Sequence, residues 1–383
     1  MPDNNEENMI YDYRLAADNV AATARAHAPA VDGSGEFPQA AIDAAREAGL
    51  FGLLSAPEVG GHGLSLRAAS HVIERIAREC GSSAMVLTMH YAGTAVIEAY
   101  GDEATRRDIV AGRHLSTLAF SEAGSRSHFW APTSGAVSAG DGVVLDADKS
   151  WVTSASHATA YVWSSRPVDS SEASTLWLVP RTAPGLGVSR PFDGLGLRGN
   201  DSCPVQARGV RVPLSARLGS DGGGFGIMMG TVLPTFSILV AAGALGLAES
   251  LVCRSADHVT GARYAHLPEH NALADLATIR AYIARIRIQV DMAKALLQST
   301  LVTLEDGRTD AMLRVLEVKA AAADTAASVA DIAMRVCGGN AFRKDVGVER
   351  LFRDTRAALV MAPTSDQLYD FIGKAVCGMP LFG

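Results

Sequence analysis

The chain has 383 residues, 48% of them hydrophobic, and a formal net charge of −7. That size supports two or three domains with buried cores. The acidic balance gives none of the clustered positive charge that a phosphate backbone requires, which excludes nucleic acid and leaves a small molecule as the expected partner. Five scattered cysteines, with neither a CxxC pair nor metal-ligand spacing, give no metal site and read as the reduced thiols of a cytoplasmic protein.

From Tyr11 to Ala111 the chain is rich in Ala, Leu and charged side chains, and helices are predicted at Pro38 to Ala48, Leu66 to Cys80 and Ala84 to Tyr100. Between the first two lies a glycine-dense loop, Pro57-Glu58-Val59-Gly60-Gly61-His62-Gly63. A helical domain is expected over 1–115. Its opening stretch, Met1 to Asp12, has neither the basic nor the apolar region of a signal peptide. After Leu115 short runs, Gly142 to Leu145, Tyr161 to Ser164 and Thr175 to Val179, alternate with Gly, Pro, Ser and Asp turns, and Val205, Val210 and Val212 continue the pattern. These predict a small β domain over 116–221. Beyond Gly222-Gly223-Gly224 helices return at Ser237 to His258, Ala311 to Val336 and Leu368 to Val376. Leu276, Ile279, Ile283, Ile286, Val290, Ala293 and Leu297 recur at the 3,4 spacing that lines one face of a long helix. A helical bundle is expected over 222–383. The longest apolar run, Ile238 to Ala248, is well short of the roughly 20 residues that span a bilayer, so no membrane association is expected.

Four separated segments together resemble the acyl-CoA dehydrogenase superfamily. Leu118-Ala119-Phe120-Ser121-Glu122-Ala123-Gly124-Ser125-Arg126-Ser127 is similar to that family's Thr-Glu-Pro-x-x-Gly-Ser signature, and Lys149-Ser150-Trp151-Val152-Thr153 to its Lys-x-Trp-Ile-Thr strand. Cys337-Gly338-Gly339-Asn340-Ala341-Phe342 is similar to its Gly-Gly-x-Gly turn, and Arg353-Asp354-Thr355-Arg356 leads into Leu359 to Asp366, which is similar to its catalytic loop. The resemblance implies an α+β fold: an N-terminal α-helical domain, a central β-barrel-like domain and a C-terminal four-helix bundle. It also implies FAD as cofactor and a homodimer or homotetramer, because in the family the Gly-Gly turn serves a neighbouring subunit.

An isoalloxazine needs an aromatic wall and hydroxyl or amide donors around its edge. Trp151 suits the wall, and Ser121 and Thr153 supply hydroxyls. The resemblance puts the backbone around Phe120 at the flavin edge, Ser127 within the cofactor signature, and Thr364 and Asp366 toward the adenosine half. Gly338 and Gly339, lacking Cβ, admit a pyrophosphate closely. Arg263 is the nearest counterpart of a family arginine that holds flavin phosphate. Taken singly, Trp151 fits a core tryptophan, Gly338-Gly339 a helix stop and Ser121 a strand-end serine; their order along the chain points to flavin.

The resemblance breaks where a dehydrogenase needs its base. The family's glutamate before the loop's Gly-Thr corresponds to Ala362, and the alternative glutamate, on the helix before Ala241-Ala242-Gly243, to Phe236. Two positions used around CoA are Pro234 and Ser237. These losses resemble the reduced-flavin-dependent monooxygenases of the superfamily, a group that includes dibenzothiophene monooxygenase and an indole hydroxylase. The implied reaction uses FADH2 and O2 to hydroxylate an electron-rich aromatic small molecule, indole types included, through a flavin C4a-hydroperoxide. No GxGxxG follows a predicted strand, so a separate flavin reductase is the expected partner. Ser121 and His90 are the candidate catalytic groups, and His90, Trp130, Phe236 and Ala362 the candidate pocket. A packed His90, core roles for Phe129 and Trp130, and Arg126 as either a substrate-carboxylate anchor or a solvated side chain stay open. Two other readings compete: an acyl-CoA dehydrogenase using Glu122, Asp366 or Asp370 as base, and a catalytically silent flavin-binding subunit.

Overall fold

The computed structural model describes residues 11–126, 128–266 and 272–380. Asp12 caps α1 (Tyr13–Ser34), its carboxylate accepting from the amides of Arg14 and Leu15. The buried face of α1 is mostly alanine, Ala16, Ala17, Ala21, Ala24 and Ala28 with Val20 and Val31, and Pro29 lies inside the helix. Alanine gives little hydrophobic contrast and proline reads as a stop, which is why α1 is missing from the predicted helices. Next come α2 (Gln39–Glu47), α3 (Leu66–Ala77), α4 (Gly81–Tyr100) and α5 (Glu103–Val110). α4 starts three residues ahead of the expected Ala84. A Cβ on Gly81 would stand 2.8 Å from Leu197 Cδ2 and 3.0 Å from Asp354 Oδ2, so glycine lets this helix end against the other two domains.

The middle domain holds β1 (Ser116–Ala119), β2 (Ala136–Ala139), β3 (Gly142–Val152), β4 (Ala160–Ser165), β5 (Thr175–Pro180), β6 (Leu186–Val188), β7 (Cys203–Pro213) and β8 (Arg217–Leu218). They form two four-stranded sheets, β1-β4-β5-β8 and β2-β3-β7-β6, with β1 and β4 parallel. Tyr161, Trp163 and Trp177 from the first sheet and Val143, Leu145, Val205 and Val210 from the second share one core. β3 runs seven residues beyond its predicted end at Leu145, with register shifts between Leu145 and Ala147 and between Lys149 and Val152. The charged Asp146, Asp148 and Lys149 hide this continuation from a hydrophobicity reading, and the second shift falls at the segment that resembles a flavin strand.

The C-terminal domain comprises α6 (Gly224–Ile227), a π turn at Met228–Val232, α7 (Leu233–Gly261), α8 (Ala277–Glu305), α9 (Ala311–Cys337), α10 (Val348–Val360) and α11 (Ser365–Val376). α7 is buried on nearly all sides, as a helix apolar all round must be. Among the described residues, Gly224–Gly261 is the one helical stretch long and apolar enough to cross a membrane, but 83% of its apolar window is buried within the protein, which fits a soluble core. Ile286, Val290, Ala293 and Leu297 of the predicted α8 face are buried, whereas Ile288 and Met292, off that face, are exposed. A further apolar cluster links the domains through Met85 and Met89 of α4, Leu118 of β1, Leu233 of α7, Leu316 of α9 and Phe371 of α11.

Candidate active site

The site is built on a buried ion pair. Glu122, just beyond β1, and Lys149, on β3, meet at 2.6 Å with side chains 3% and 0% exposed. Lys149 Nζ also donates to Ser164 O (2.8 Å), Ser164 Oγ (3.0 Å) and Phe120 O (3.3 Å). The other Glu122 oxygen accepts from the amides of Thr133 and Ser134, both at 3.0 Å, and from both of their hydroxyls. Burial works to raise the Glu122 carboxyl, but the Lys149 charge and these donors hold it below the usual carboxylate range. Burial brings Lys149 down to about 8, still protonated at neutral pH beside its partner. Both ends of the loop 120–134 are thereby tied to the sheet, and Ser121 stands at its start with a hydroxyl that makes no hydrogen bond among the described residues.

That loop and the end of β3 form one wall of a cavity of about 670 Å³. The Ser150 amide donates to Ser121 O at 2.9 Å, fixing the two segments together. Trp151, with a φ of 59°, follows in the left-handed region and stays 70% exposed against the cavity, its ring edge-on to Phe192 at 6.4 Å. A tryptophan held out of the core in a strained backbone leaves an aromatic face open to a planar molecule in the cavity. Thr153 lines the same wall, its Oγ1 2.9 Å from Ser202 Oγ, and Thr117 Oγ1 donates to Thr153 O at 2.7 Å. An exposed indole, paired hydroxyls and a free serine at the edge of an apolar cleft suit a flavin ring.

The opposite wall is apolar. Val232, at the end of the π turn, and Phe236, on α7, face the cavity together with Met85, Met89 and Phe129. Ala362 lies at the cavity on the loop between α10 and α11, which Lys319 of α9 holds through Nζ to Met361 O (3.0 Å) and Pro363 O (2.7 Å). Lys319 is fully buried with no acidic partner among the described residues, and burial pushes its amine down to about 7. Among the described cavity residues Glu122 is the only carboxylate, and its oxygens are committed as above. Both positions read as empty of a catalytic acid, Phe236 and Ala362, therefore border the cavity.

Phe120, Ser121, Trp151, Thr153, Phe236, Ala362 and Thr364 come together around this cavity, Thr364 also capping α11 by accepting from the Gln367 amide. Ser127 lies outside the described residues. Two expected pocket residues do not reach the site. His90 is fully buried away from the cavity, its Nε2 donating to Phe51 O at 3.1 Å and its Nδ1 accepting from the Ser116 amide at 3.2 Å, so neither ring nitrogen is free for substrate. Trp130 does not line the cavity but packs against Phe371 at 6.0 Å, while its neighbour Phe129 turns inward. Asp366 and Asp370 are exposed on α11 outside the cavity, and Asp370 pairs with Lys374. Arg263, Gly338 and Gly339 are exposed and lie outside their own chain's cavity. The segment 192–202, which supplies Phe192, Leu197, Asn200 and Ser202 to the cavity, was missed by sequence reading because it belongs to no motif and no periodic element. Among the described residues no cluster of His, Cys, Asp and Glu could hold a metal ion.

His90 has a measurable consequence for folding. Burial depresses it from 6.5 to about 3 and depresses the buried His114 to about 4. The unfolded chain binds these protons near pH 6.5 and the folded chain does not, so stability is fully present above about pH 6.5 and is lost as pH falls toward 4 and 3. Between pH 7 and pH 5 the two rings together are expected to remove about 4 kcal/mol, of which the buried Asp354, raised to about 6 and so protonated in the folded chain over the same window, returns about 1 kcal/mol. Urea midpoints at the two pH values measure this, and equal midpoints would contradict the buried neutral assignment.

Helical, β and helical domains around an exposed indole and a hydroxyl-edged apolar cleft define a flavin-dependent oxidoreductase. Three family models match in order: "Acyl-CoA dehydrogenase, N-terminal domain" over residues 5–112, the middle domain over 117–210 and the C-terminal domain over 222–377. Short-chain specific acyl-CoA dehydrogenase from Bos taurus mitochondria is 29% identical over 345 residues, 88% of this chain and 82% of that protein. The glutaryl-CoA complex of glutaryl-coenzyme A dehydrogenase superposes with a TM-score of 0.90 at 24% identity, covering 99% of this chain and 98% of that one. FMN-bound TdsC from Paenibacillus sp. A11-2 gives 0.87 at 19% identity over 97% and 99% of the two chains. The chain belongs to the acyl-CoA dehydrogenase superfamily, and FAD is its cofactor.

Proposed function

We propose that this protein is the oxygenating component of a two-component monooxygenase, receiving FADH2 from a separate flavin reductase and hydroxylating a flat, electron-rich aromatic substrate. The observation that carries this reading is the cavity's chemistry: Ala362 and Phe236 border it, and Glu122 is locked to Lys149, Thr133 and Ser134. Abstraction of a carbon acid's proton needs a positioned base worth roughly 10² to 10⁴ in rate, and no free carboxylate lines the cavity among the described residues. Reduced flavin supplies the activation of O2 when bound. The protein's own part is to seat the ring against Trp151, offer the Ser121 hydroxyl at its edge, and keep water from the reacting centre with Met85, Met89, Phe129 and Phe236.

Arg263, Gly338 and Gly339 fit this reading as groups offered to a second subunit, because they stand on the surface beyond their own cavity. The exposed Ile288 and Met292 on α8 and Phe342 beyond α9 suit the contact of a homodimer or homotetramer.

Turnover separates this reading from a dehydrogenase. FAD-loaded protein, photoreduced without oxygen and mixed with ¹⁸O₂ and either indole or dibenzothiophene, is expected to give a product carrying one labelled oxygen. Oxidised protein mixed anaerobically with octanoyl-CoA is expected to keep its flavin colour. Bleaching by the thioester, with no labelled aromatic product, would assign the protein to acyl-CoA dehydrogenation instead.

A further inference from the structure

Three arginines line the cavity, and two are neutralised. Arg353 forms a bidentate pair with Asp32 at 2.6 and 2.8 Å and a third contact to Glu349 at 2.7 Å. Arg356 pairs with Asp331 at 2.6 Å and stacks on Phe352. Arg126, four residues past the pair-forming Glu122, lines the same cavity, is exposed, and has no ion pair among the described residues. Its φ is 48°, in the left-handed region that L side chains rarely adopt. A loop that needed only the turn would hold glycine or asparagine here. The chain instead carries a long cation in a strained backbone at the edge of an apolar cleft, where a positive charge without an acid is the feature an anionic ligand would complete. The protein as a whole carries a formal charge of −7, so an anion meets attraction only where such a local cation stands.

We infer that the aromatic substrate carries a carboxylate, which the Arg126 guanidinium binds at the mouth of the cavity while the ring system lies among Phe129, Phe236 and Ala362. This deepens the proposed function and rests on its aromatic-substrate reading. Arg126 acts as a specificity-determining residue: its planar fork matches a carboxylate through two parallel N–H donors, and it fixes which end of the substrate enters first.

The test is equilibrium binding to FAD-loaded protein, which does not require turnover. Naphthalene-2-carboxylate and the neutral, isosteric naphthalene-2-carboxamide are titrated against the parent protein and against Arg126→Gln. The parent is expected to hold the carboxylate about 10-fold more tightly than the amide, a ratio set by one charge-assisted hydrogen-bond pair. Arg126→Gln is expected to reduce the ratio to about one through the carboxylate alone, with amide and FAD affinities unchanged. Equal affinities in the parent, or a preference that survives Arg126→Gln, would overturn the carboxylate while leaving the aromatic reading intact. Loss of FAD affinity in Arg126→Gln without loss of lumiflavin affinity would reassign the arginine to the cofactor's diphosphate and overturn the inference. Binding of octanoyl-CoA that Arg126→Gln weakens, with neither naphthalene held by the parent, would overturn both this inference and the aromatic reading.

Discussion

Replacing Glu122 with Ala is expected to lower folding stability by about 3–5 kcal/mol, the range for removing one partner of a buried ion pair. The loss has two sources. Lys149, fully buried, is left with only the Ser164 and Phe120 oxygens, and the four donors of Thr133 and Ser134 lose their acceptor. Because those donors close the loop 120–134 onto β1, the same change should release Ser121 from the cavity wall and reduce FAD affinity. Glu122→Gln keeps the size and loses the charge; it is expected to destabilise as well, by removing the counter-charge that keeps Lys149 protonated inside the protein. Pairing it with Lys149→Met should recover much of the stability, since a buried pair replaced as a unit by neutral groups leaves no orphaned charge. Urea unfolding of the single and double variants measures the coupling. A Glu122→Gln protein that unfolds with the parent's midpoint yet loses turnover would instead point to Glu122 as an acid or base on substrate, the role the dehydrogenase reading gives it.

Much of this site was legible because its chemistry is carried by short, local segments. Phe120 to Glu122, Lys149 to Thr153 and Ala362 to Thr364 each place backbone and side chain within a few residues of one another, and the cavity assembles all three. The domain order was legible for a similar reason, since the change from 3,4 spacing to short runs near Leu115 survives without knowledge of contacts. What escaped depends on partners remote in the chain. His90 looked available on α4 because nothing nearby reveals that Phe51 O and the Ser116 amide occupy its two nitrogens. Phe129 and Trp130 are adjacent and both aromatic, and only the packing of Trp130 on Phe371 decides which one faces inward. The 192–202 segment is coil that becomes a cavity wall when the Leu197 amide reaches Asp354 Oδ1 at 2.6 Å, across more than 150 residues. Burial pushes that Asp354 carboxyl up to about 6 even so, a perturbation that no local motif announces.

Installing a carboxylate where the family has one is expected to damage this enzyme. In Ala362→Glu the new side chain enters a cavity bordered by Phe236, Val232 and Met361, where the nearby Lys319 amine is already committed to Met361 O and Pro363 O. An uncompensated buried carboxylate costs several kcal/mol. Under the proposed monooxygenase function, kcat/KM for labelled-oxygen transfer to the aromatic ring is expected to fall ~10², about 3 kcal/mol of transition-state stabilisation at 1.36 kcal/mol per tenfold change, with the reducing equivalents appearing as hydrogen peroxide. Burial raises a carboxyl's pKa, so the introduced group is neutral at the acid end of the accessible range and ionised above it. The defect should therefore deepen as pH rises. Ala362→Gln matches the volume without the charge and separates the two costs: it is expected to lose activity to a smaller extent and with no added pH dependence. Equal losses in the two variants would show that volume alone matters at this position. An Ala362→Glu protein that hydroxylates as well as its parent would contradict the proposed function, because the absence of ionised acid from the cavity would then have no bearing on its chemistry.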